Sequence, residues 1–168
     1  MKPIIAALLL VVVVSCAPNH KYKAEILDVG LFTGGSVEST SGAPETARGI
    51  ISSHSASELK ENTSRVPAEI GTIFGFTYTL VGAPAGERVP LRYVWKTPGV
   101  MAPGKSTLFQ EEFPWANTIG EKGGHLLRLD EEWELIPGIW TLQVFHGKQL
   151  LAERSFEIYR PAKQDIEP

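Results

Sequence analysis

Two stretches of this chain repeat with a period of two. Phe74, Phe76, Tyr78 and Leu80 alternate with Gly75, Thr77 and Thr79. Val89, Leu91, Tyr93 and Trp95 alternate with Pro90, Arg92, Val94 and Lys96. That period puts each foursome on one face of a pleated strand and excludes a helix at both places. Val81 to Arg88 joins the two runs and contains Gly82, Pro84 and Gly86, so a hairpin is expected there. Ile139 to Phe145 and Leu150 to Ile158 flank His146-Gly147-Lys148, which predicts a second hairpin with its turn at Gly147. Ala24 to Phe32, Arg48 to Ser53 and His125 to Asp130 are further strand candidates. Only Ser57 to Glu61 resembles a turn of helix. Glycine (16) and proline (12) recur along the chain and interrupt any long helix. About seven or eight short strands with frequent turns predict an all-β antiparallel sandwich with little helix.

The amino terminus carries a different signal. Met1-Lys2-Pro3 is a short basic start, Ile4 to Val14 is an unbroken apolar run, and Ser15 precedes the chain's one cysteine, Cys16. The run is too short to span a bilayer, which takes roughly 20 apolar residues. It reads as a cleaved secretory leader, residues 1–15, ending at a lipoprotein-type site. A lone cysteine at this place serves no disulfide. The expectation is a lipidated Cys16, a polar tether over 16–23, a sandwich over 24–160 and a loose tail over 161–168. Acyl chains on Cys16 would hold the protein to a bacterial envelope membrane, each buried methylene contributing about 0.8 kcal/mol. Ala17, where an inner-membrane lipoprotein would carry Asp, favours the outer membrane.

Composition narrows the function classes. Removing the leader leaves roughly 150 residues, one domain with a real core. The formal net charge of the full chain is −3, and loss of Lys2 makes it one unit more negative. A mildly acidic chain of mixed sign is a poor nucleic-acid binder. With Cys16 lipidated, no thiol remains for catalysis or for a metal.

Three elements resemble a known family. They are Val66 to Gly75, which leads into the first alternating run; Leu135 to Val144, with its Pro137-Gly138-Ile139-Trp140 core; and Leu150 to Phe156. Together they are similar to a bacterial family of uncharacterised domains, often borne on lipoproteins, with an immunoglobulin-like sandwich. The resemblance spans roughly 24–158. It implies that fold and carries over no activity and no catalytic residue.

The motifs that could carry chemistry are weak. Gly99-Val100-Met101-Ala102-Pro103-Gly104-Lys105-Ser106 fits the G-x-x-x-x-G-K-[ST] phosphate-loop pattern. Such a loop follows a buried parallel strand and opens a helix. Here the preceding strand alternates, and Pro114 would stop a helix begun at Lys105. A nucleotide partner is not expected, and the segment reads as a strand connection. His20, His54, His125 and His146 lie far apart with no metal-ligand spacing, so no metal or other cofactor is expected. His146 reads as a turn residue and His125 as a solvated strand end. Serines 52, 53, 55 and 57 around His54 form no nucleophile elbow and read as a polar loop. Glu111-Glu112 and Glu131-Glu132 with Glu134 read as solvated edges, since neighbouring strand carboxylates point to opposite faces.

The four tryptophans divide. Trp95 and Trp140 sit in alternating runs and are expected in the core. Trp115 and Trp133 lie among proline and acids. They either cover the open end of the sandwich, the plainer reading, or contact a sugar or a protein, as exposed aromatics at binding surfaces do. The expected function is a non-catalytic binding or accessory domain at the envelope, taking an envelope protein or a glycan. The alternative is a structural or stress-related lipoprotein without a small ligand. An enzyme is disfavoured, because no nucleophile, base and orienting group fall together.

Overall fold

The computed structural model describes residues 21–54 and 57–162. The leader, Cys16, His20 and residues 163–168 lie outside that range. Eleven strands run through the described residues: β1 (Tyr22–Gly34), β2 (Val37–Gly42), β3 (Ile50–His54), β4 (Ser57–Glu61), β5 (Arg65–Pro67), β6 (Ile73–Gly82), β7 (Arg88–Val100), β8 (Leu108–Thr118), β9 (Lys122–Arg128), β10 (Gly138–His146) and β11 (Gln149–Tyr159). A three-residue 3₁₀ turn, Glu132–Glu134, precedes β10. One sheet has the order β4-β1-β6-β9, the other β5-β11-β10-β7-β8, and β2 pairs with β3 apart from both. All pairs are antiparallel except β5 with β11. The all-β sandwich is thus as the alternation predicts, with more strands than expected. The additional ones are short or polar: β2 is exposed throughout and β5 has three residues.

The first expected hairpin does not form. The run 73–82 pairs with β1 and β9, whereas 88–100 pairs with β8 and β10 in the opposite sheet. The reason is packing. A hairpin would set the two apolar foursomes side by side on one sheet and leave them without a facing layer. Crossing between sheets sets them face to face. Tyr78 and Tyr93 join hydroxyls at 2.8 Å across the interior, and the rings of Phe74 and Trp95 meet edge to face at 5.5 Å. All eight side chains are at most 4% exposed. Burial of such a side chain contributes about 1.5–3 kcal/mol, so the face-to-face arrangement dominates. The same burial pushes the Tyr78 phenol up to about 12.

The second hairpin forms as predicted. β10 and β11 pair from Gly138↔Ile158 to His146↔Gln149, and Gly147 takes φ +55°, a left-handed conformation that glycine adopts without strain. Trp140, Leu142 and Val144 face inward beside Phe156 and Ile158, each at most 1% exposed. Trp140 Nε1 donates to the Ile136 carbonyl at 3.0 Å.

Other local expectations change. Ser57 to Glu61 is a strand on β1, with Phe32 paired to Leu59. Tyr22 and Lys23, assigned to the tether, already belong to β1. Tyr22 is buried because its ring packs on His146 at 4.7 Å. Ser52 and Ser53 lie in β3, within the strand candidate Arg48 to Ser53, and Ser57 opens β4, so these three are not the polar loop expected around His54; Ser55 lies outside the described residues.

Candidate functional site

The two sheets leave one side open. β8 and β9 are the edge strands there, joined by the turn at Ile119–Glu121. Between them lies a cleft to which β3 contributes Ile51, Ser52 and Ser53. Its outer chamber has a volume of about 320 Å³ and an inner one of about 70 Å³. Ile51, Ser52, Phe113, His125 and Leu126 border both. Gly124 lets β9 lie close on β6 beside this wall: a Cβ there would come within 2.5 Å of the Phe76 carbonyl oxygen.

Trp115 shares the inward face of β8 with Phe113 and lines the outer chamber, 39% exposed. Trp133, the other tryptophan of interest, sits in the 3₁₀ turn and packs on the core. It is partly buried there and does not line the cleft. His125 is not a solvated strand end. Its ring lies 5.0 Å from Phe113, 5.6 Å from Tyr93 and 6.0 Å from Trp95, because β9 turns it toward the interior. His146, in addition to its contact with Tyr22, places Nδ1 3.0 Å from the Pro90 carbonyl.

Charged groups hold the inner chamber in shape. Arg48 hydrogen-bonds both carboxylate oxygens of Glu134, donates to Asp130 at 3.0 Å, and reaches the Arg128 carbonyl at 2.6 Å. Glu134 is 4% exposed and also accepts from the Asp130 and Glu131 amides. The solvated edge expected at Glu131–Glu134 is therefore a buried anchor at Glu134, because a guanidinium and two amides replace water around it. Glu111 accepts from the Ala47 amide, and Lys105 donates to the Ala47 carbonyl at 2.8 Å. These contacts fix the link between β2 and β3 to the body of the sandwich. Glu111 and Glu112 do point to opposite faces. Glu112 pairs with Arg92 at 2.8 Å on the outer face, while Glu111 lines the chamber. Burial raises the Glu111 pKa above the ordinary carboxyl range; the Glu134 carboxylate adds to the rise, and the Ala47 amide opposes it.

Three further hydroxyls of the cleft bond to side chains of neighbouring strands. Ser53 bonds Ser39 at 2.7 Å, Ser52 bonds Thr40 at 3.4 Å, and Thr77 donates to Asp28 at 2.8 Å. Lys122 also bonds Asp28 at 2.8 Å. That bond, with the one from Thr77, holds the Asp28 carboxyl below its ordinary range. No group of three or more His, Cys, Asp or Glu among the described residues is placed to hold a metal ion. Gly99–Ser106 links antiparallel β7 to β8. Its Lys105 amide closes a turn on the Ala102 carbonyl at 3.0 Å, so the strand-then-helix setting of a phosphate loop is not built here.

A family model matches residues 20–158. The chain belongs to the DUF3859 family, a domain of unknown function. This agrees with the resemblance to a family of uncharacterised sandwich domains. The DUF3859 domain is also similar to an immunoglobulin-like protein from Pseudomonas aeruginosa, at 26% sequence identity and a TM-score of 0.60. The similarity covers 85% of this chain and all of that one. No functionally curated protein matches.

Sequence reasoning singled out Trp115 but missed Arg48, Glu134 and Glu111. Arg48 and Glu134 are 86 positions apart, and nothing local at either marks the pair. The inward turn of Glu111 follows from β8, a strand that the doublet Glu111-Glu112 and Pro114 concealed.

Proposed function

We propose that this DUF3859 chain is a lipid-anchored extracytoplasmic lipoprotein of the bacterial envelope. Its immunoglobulin-like domain serves as a non-catalytic binding or accessory module, and the cleft between β8 and β9 is its contact site. The observation that carries the reading is the exposed Trp115 at the rim of a cleft of about 320 Å³, a size at the lower end of small-ligand pockets. Aromatic side chains held half-exposed in concave surfaces are frequent anchors of binding. The basic start, apolar run and Cys16 support the anchor. No helix among the described residues is long and apolar enough to cross a membrane.

Two experiments test this. Mass spectrometry of the protein from membrane fractions should find a diacylglyceryl-modified Cys16 as the first residue. An intact Met1 with an unmodified thiol removes the anchor. For the module, a photoreactive phenylalanine analogue is placed at Ser53, on the cleft, or at Ile139, exposed on the outer face of β10. Irradiation of cells should give a discrete adduct from position 53 and none from 139. Equal labelling, or none at 53, removes the cleft as the contact site and leaves the structural lipoprotein.

A further inference from the structure

On the side away from β8 and β9, the edges of the two sheets are covered over part of their length. β4 pairs with β1 from Leu31 to Gly34, and β5 pairs with β11 from Glu157 to Tyr159. Among the described residues, no strand lies on the outer edge of β1 from Tyr22 to Val29, nor on that of β11 from Gln149 to Ser155. A groove of about 590 Å³ runs between these two stretches. Ala24 and Ile26 line it on β1, and Leu150 to Arg154 line it on β11.

The β1 wall offers backbone. The Tyr22 carbonyl points away from β6, and Gln149 Nε2 donates to it at 3.0 Å. Alternate residues of a strand turn their backbone groups the same way, so the amides and carbonyls of Ala24 and Ile26 face the groove. Lys23 and Glu25 turn theirs toward β6, opposite Val81 and Thr79. A bulge between Ile26 and Asp28 ends this regular stretch. The β11 wall offers side chains. Leu150, 46% exposed, Leu151 and Ala152 are apolar. Arg154 donates to the Glu153 carbonyl at 2.8 Å and has no carboxylate within ion-pair distance among the described residues. β1 and β11 run the same way from the Tyr22–Gln149 contact, since Phe156 further along β11 meets Phe74, the partner of Leu31. Arg154, five residues on from Gln149, therefore stands level with Ile26 and Leu27.

We propose that this groove takes one extended strand of another protein, added to β1 in line with β4. Ala24 and Ile26 face the core, whereas Lys23 and Glu25 are exposed on the outer face. Strand residues opposite Ala24 and Ile26 therefore turn their side chains to the β11 wall, and the residue between them turns outward beside Glu25. The walls specify the segment: an apolar side chain opposite Ala24, against Leu150 and Leu151; an acid opposite Ile26, beside Arg154; and a base between them, beside Glu25. A second copy of this chain suits the edge less well. The register that pairs Ala24 and Ile26 of both copies sets Glu25 directly against its counterpart, and like charges so placed are unfavourable. The groove lies across the sandwich from the β8–β9 cleft and does not depend on it.

The test uses the full chain in detergent and two fluorescein-labelled peptides, which carry Glu-Lys-Val or Val-Lys-Glu between pairs of threonines. The two orders cover the two directions of an added strand. Fluorescence anisotropy should show saturable binding of one of them. In that complex, amide hydrogen exchange should slow at Ala24 and Ile26 and stay as it was at Lys23 and Glu25. Changing the peptide's Glu to Lys, or Arg154→Glu in the protein, should weaken binding roughly fivefold to tenfold, and the two changes together should restore most of it. Ala24→Pro removes an N–H that faces the groove and none that bonds β6, and should weaken binding at least about fivefold. If its melting temperature falls, the charge exchange decides alone. Ile139→Ala, on the outer face of β10, should leave binding unchanged. Failure of both peptides to bind, or binding indifferent to the charge exchange, overturns the proposal. Slowed exchange at Ala24 and Ile26 that follows protein concentration without peptide also overturns it and makes a second copy the occupant.

Discussion

The two sides of this sandwich are closed in different ways. On the side of β10 and β11, Phe74, Trp95, Trp140 and Phe156 pack ring on ring at 5.3–6.4 Å, and all four are at most 1% exposed. Shape alone completes that region, and the one polar atom of Trp140 has its carbonyl. On the side of β8 and β9 the sheets part. The gap is bordered by β3, whose link to β2 is held by Arg48, Glu111 and Lys105. Trp95 belongs to both regions, ring in the cluster and wall of the chamber. The comparison teaches that the apolar cluster supplies stability, while the polar side gives up packing to keep a cavity open. Burial per residue is high on one side, and every buried charge on the other needs an assigned partner.

If that division is right, the largest loss comes from the apolar side. Trp140→Ala should destabilise by about 3–5 kcal/mol, through lost burial and the cavity left behind. Urea unfolding checks it, and a loss under about 1 kcal/mol would break the comparison. Next comes Glu134→Ala. It leaves Arg48 with Asp130 as its one carboxylate partner and takes the acceptor from the Asp130 and Glu131 amides, and the expected loss is roughly 2–3 kcal/mol. Its signature differs from that of Trp140→Ala. Amide hydrogen exchange should quicken first in the link between β2 and β3, where Ala43, Thr46, Ala47 and Gly49 donate their hydrogen bonds. Uniform quickening over the sheets would show that the Arg48 cluster belongs to the global core.

The apolar side was the legible one. Alternation in 74–80 and 89–95 marks strands and their inward faces, and Pro137-Gly138 before Trp140 marks the start of β10. What alternation cannot express is which strand lies opposite. The turn residues between Val81 and Arg88 suit a hairpin and a crossover alike, and only the demand that two aromatic faces be covered decides for the crossover. The polar side was nearly illegible. Arg48 stands between Ala47 and Gly49 with no periodic neighbours, and its partners come from a segment more than 80 positions away. Trp115 was recognisable as an exposed aromatic among proline and acids, yet the cleft that gives it meaning is made by β3 and β9. His125 reads as a solvated strand end in the sequence, whereas Gly124 beside it lets β9 approach β6 and the imidazole packs on Phe113.

The boundary between the two regions runs through the Tyr78–Tyr93 hydroxyl pair, and Tyr93 also donates to the Gly124 carbonyl of β9 at 3.4 Å. Tyr78→Phe removes one partner of a buried hydrogen bond and should cost about 1–2 kcal/mol. The double change to phenylalanine should cost less than the two single changes summed, because each single one leaves a hydroxyl partly unpaired. Strict additivity, measured by denaturant unfolding of all four proteins, would show that the two hydroxyls act independently and that the sheets are not coupled there.

The smallest effect concerns Glu111, and its sign is the informative part. Burial raises this carboxyl above its ordinary value in the folded protein, so the native state binds the proton more tightly than the unfolded chain. Stability from this group is therefore greatest below the ordinary carboxyl value, declines as pH rises through the window up to the raised folded value, and stays lower beyond it. Asp28, held low by Lys122 and Thr77, has the opposite slope: its contribution is present above the ordinary value and is lost as pH falls through the lowered one. Asp28 is present in both Glu111→Gln and the parent protein, so its effect cancels when the two are compared. Glutamine keeps an oxygen for the Ala47 amide and cannot ionise. The variant should be the more stable of the two near pH 7 and lose that advantage near about pH 3.5, below the ordinary glutamate value. A stability difference that stays constant between those two pH values would mean that Glu111 is solvated like a surface acid, and the polar side would then be an open edge with no inner chamber behind it.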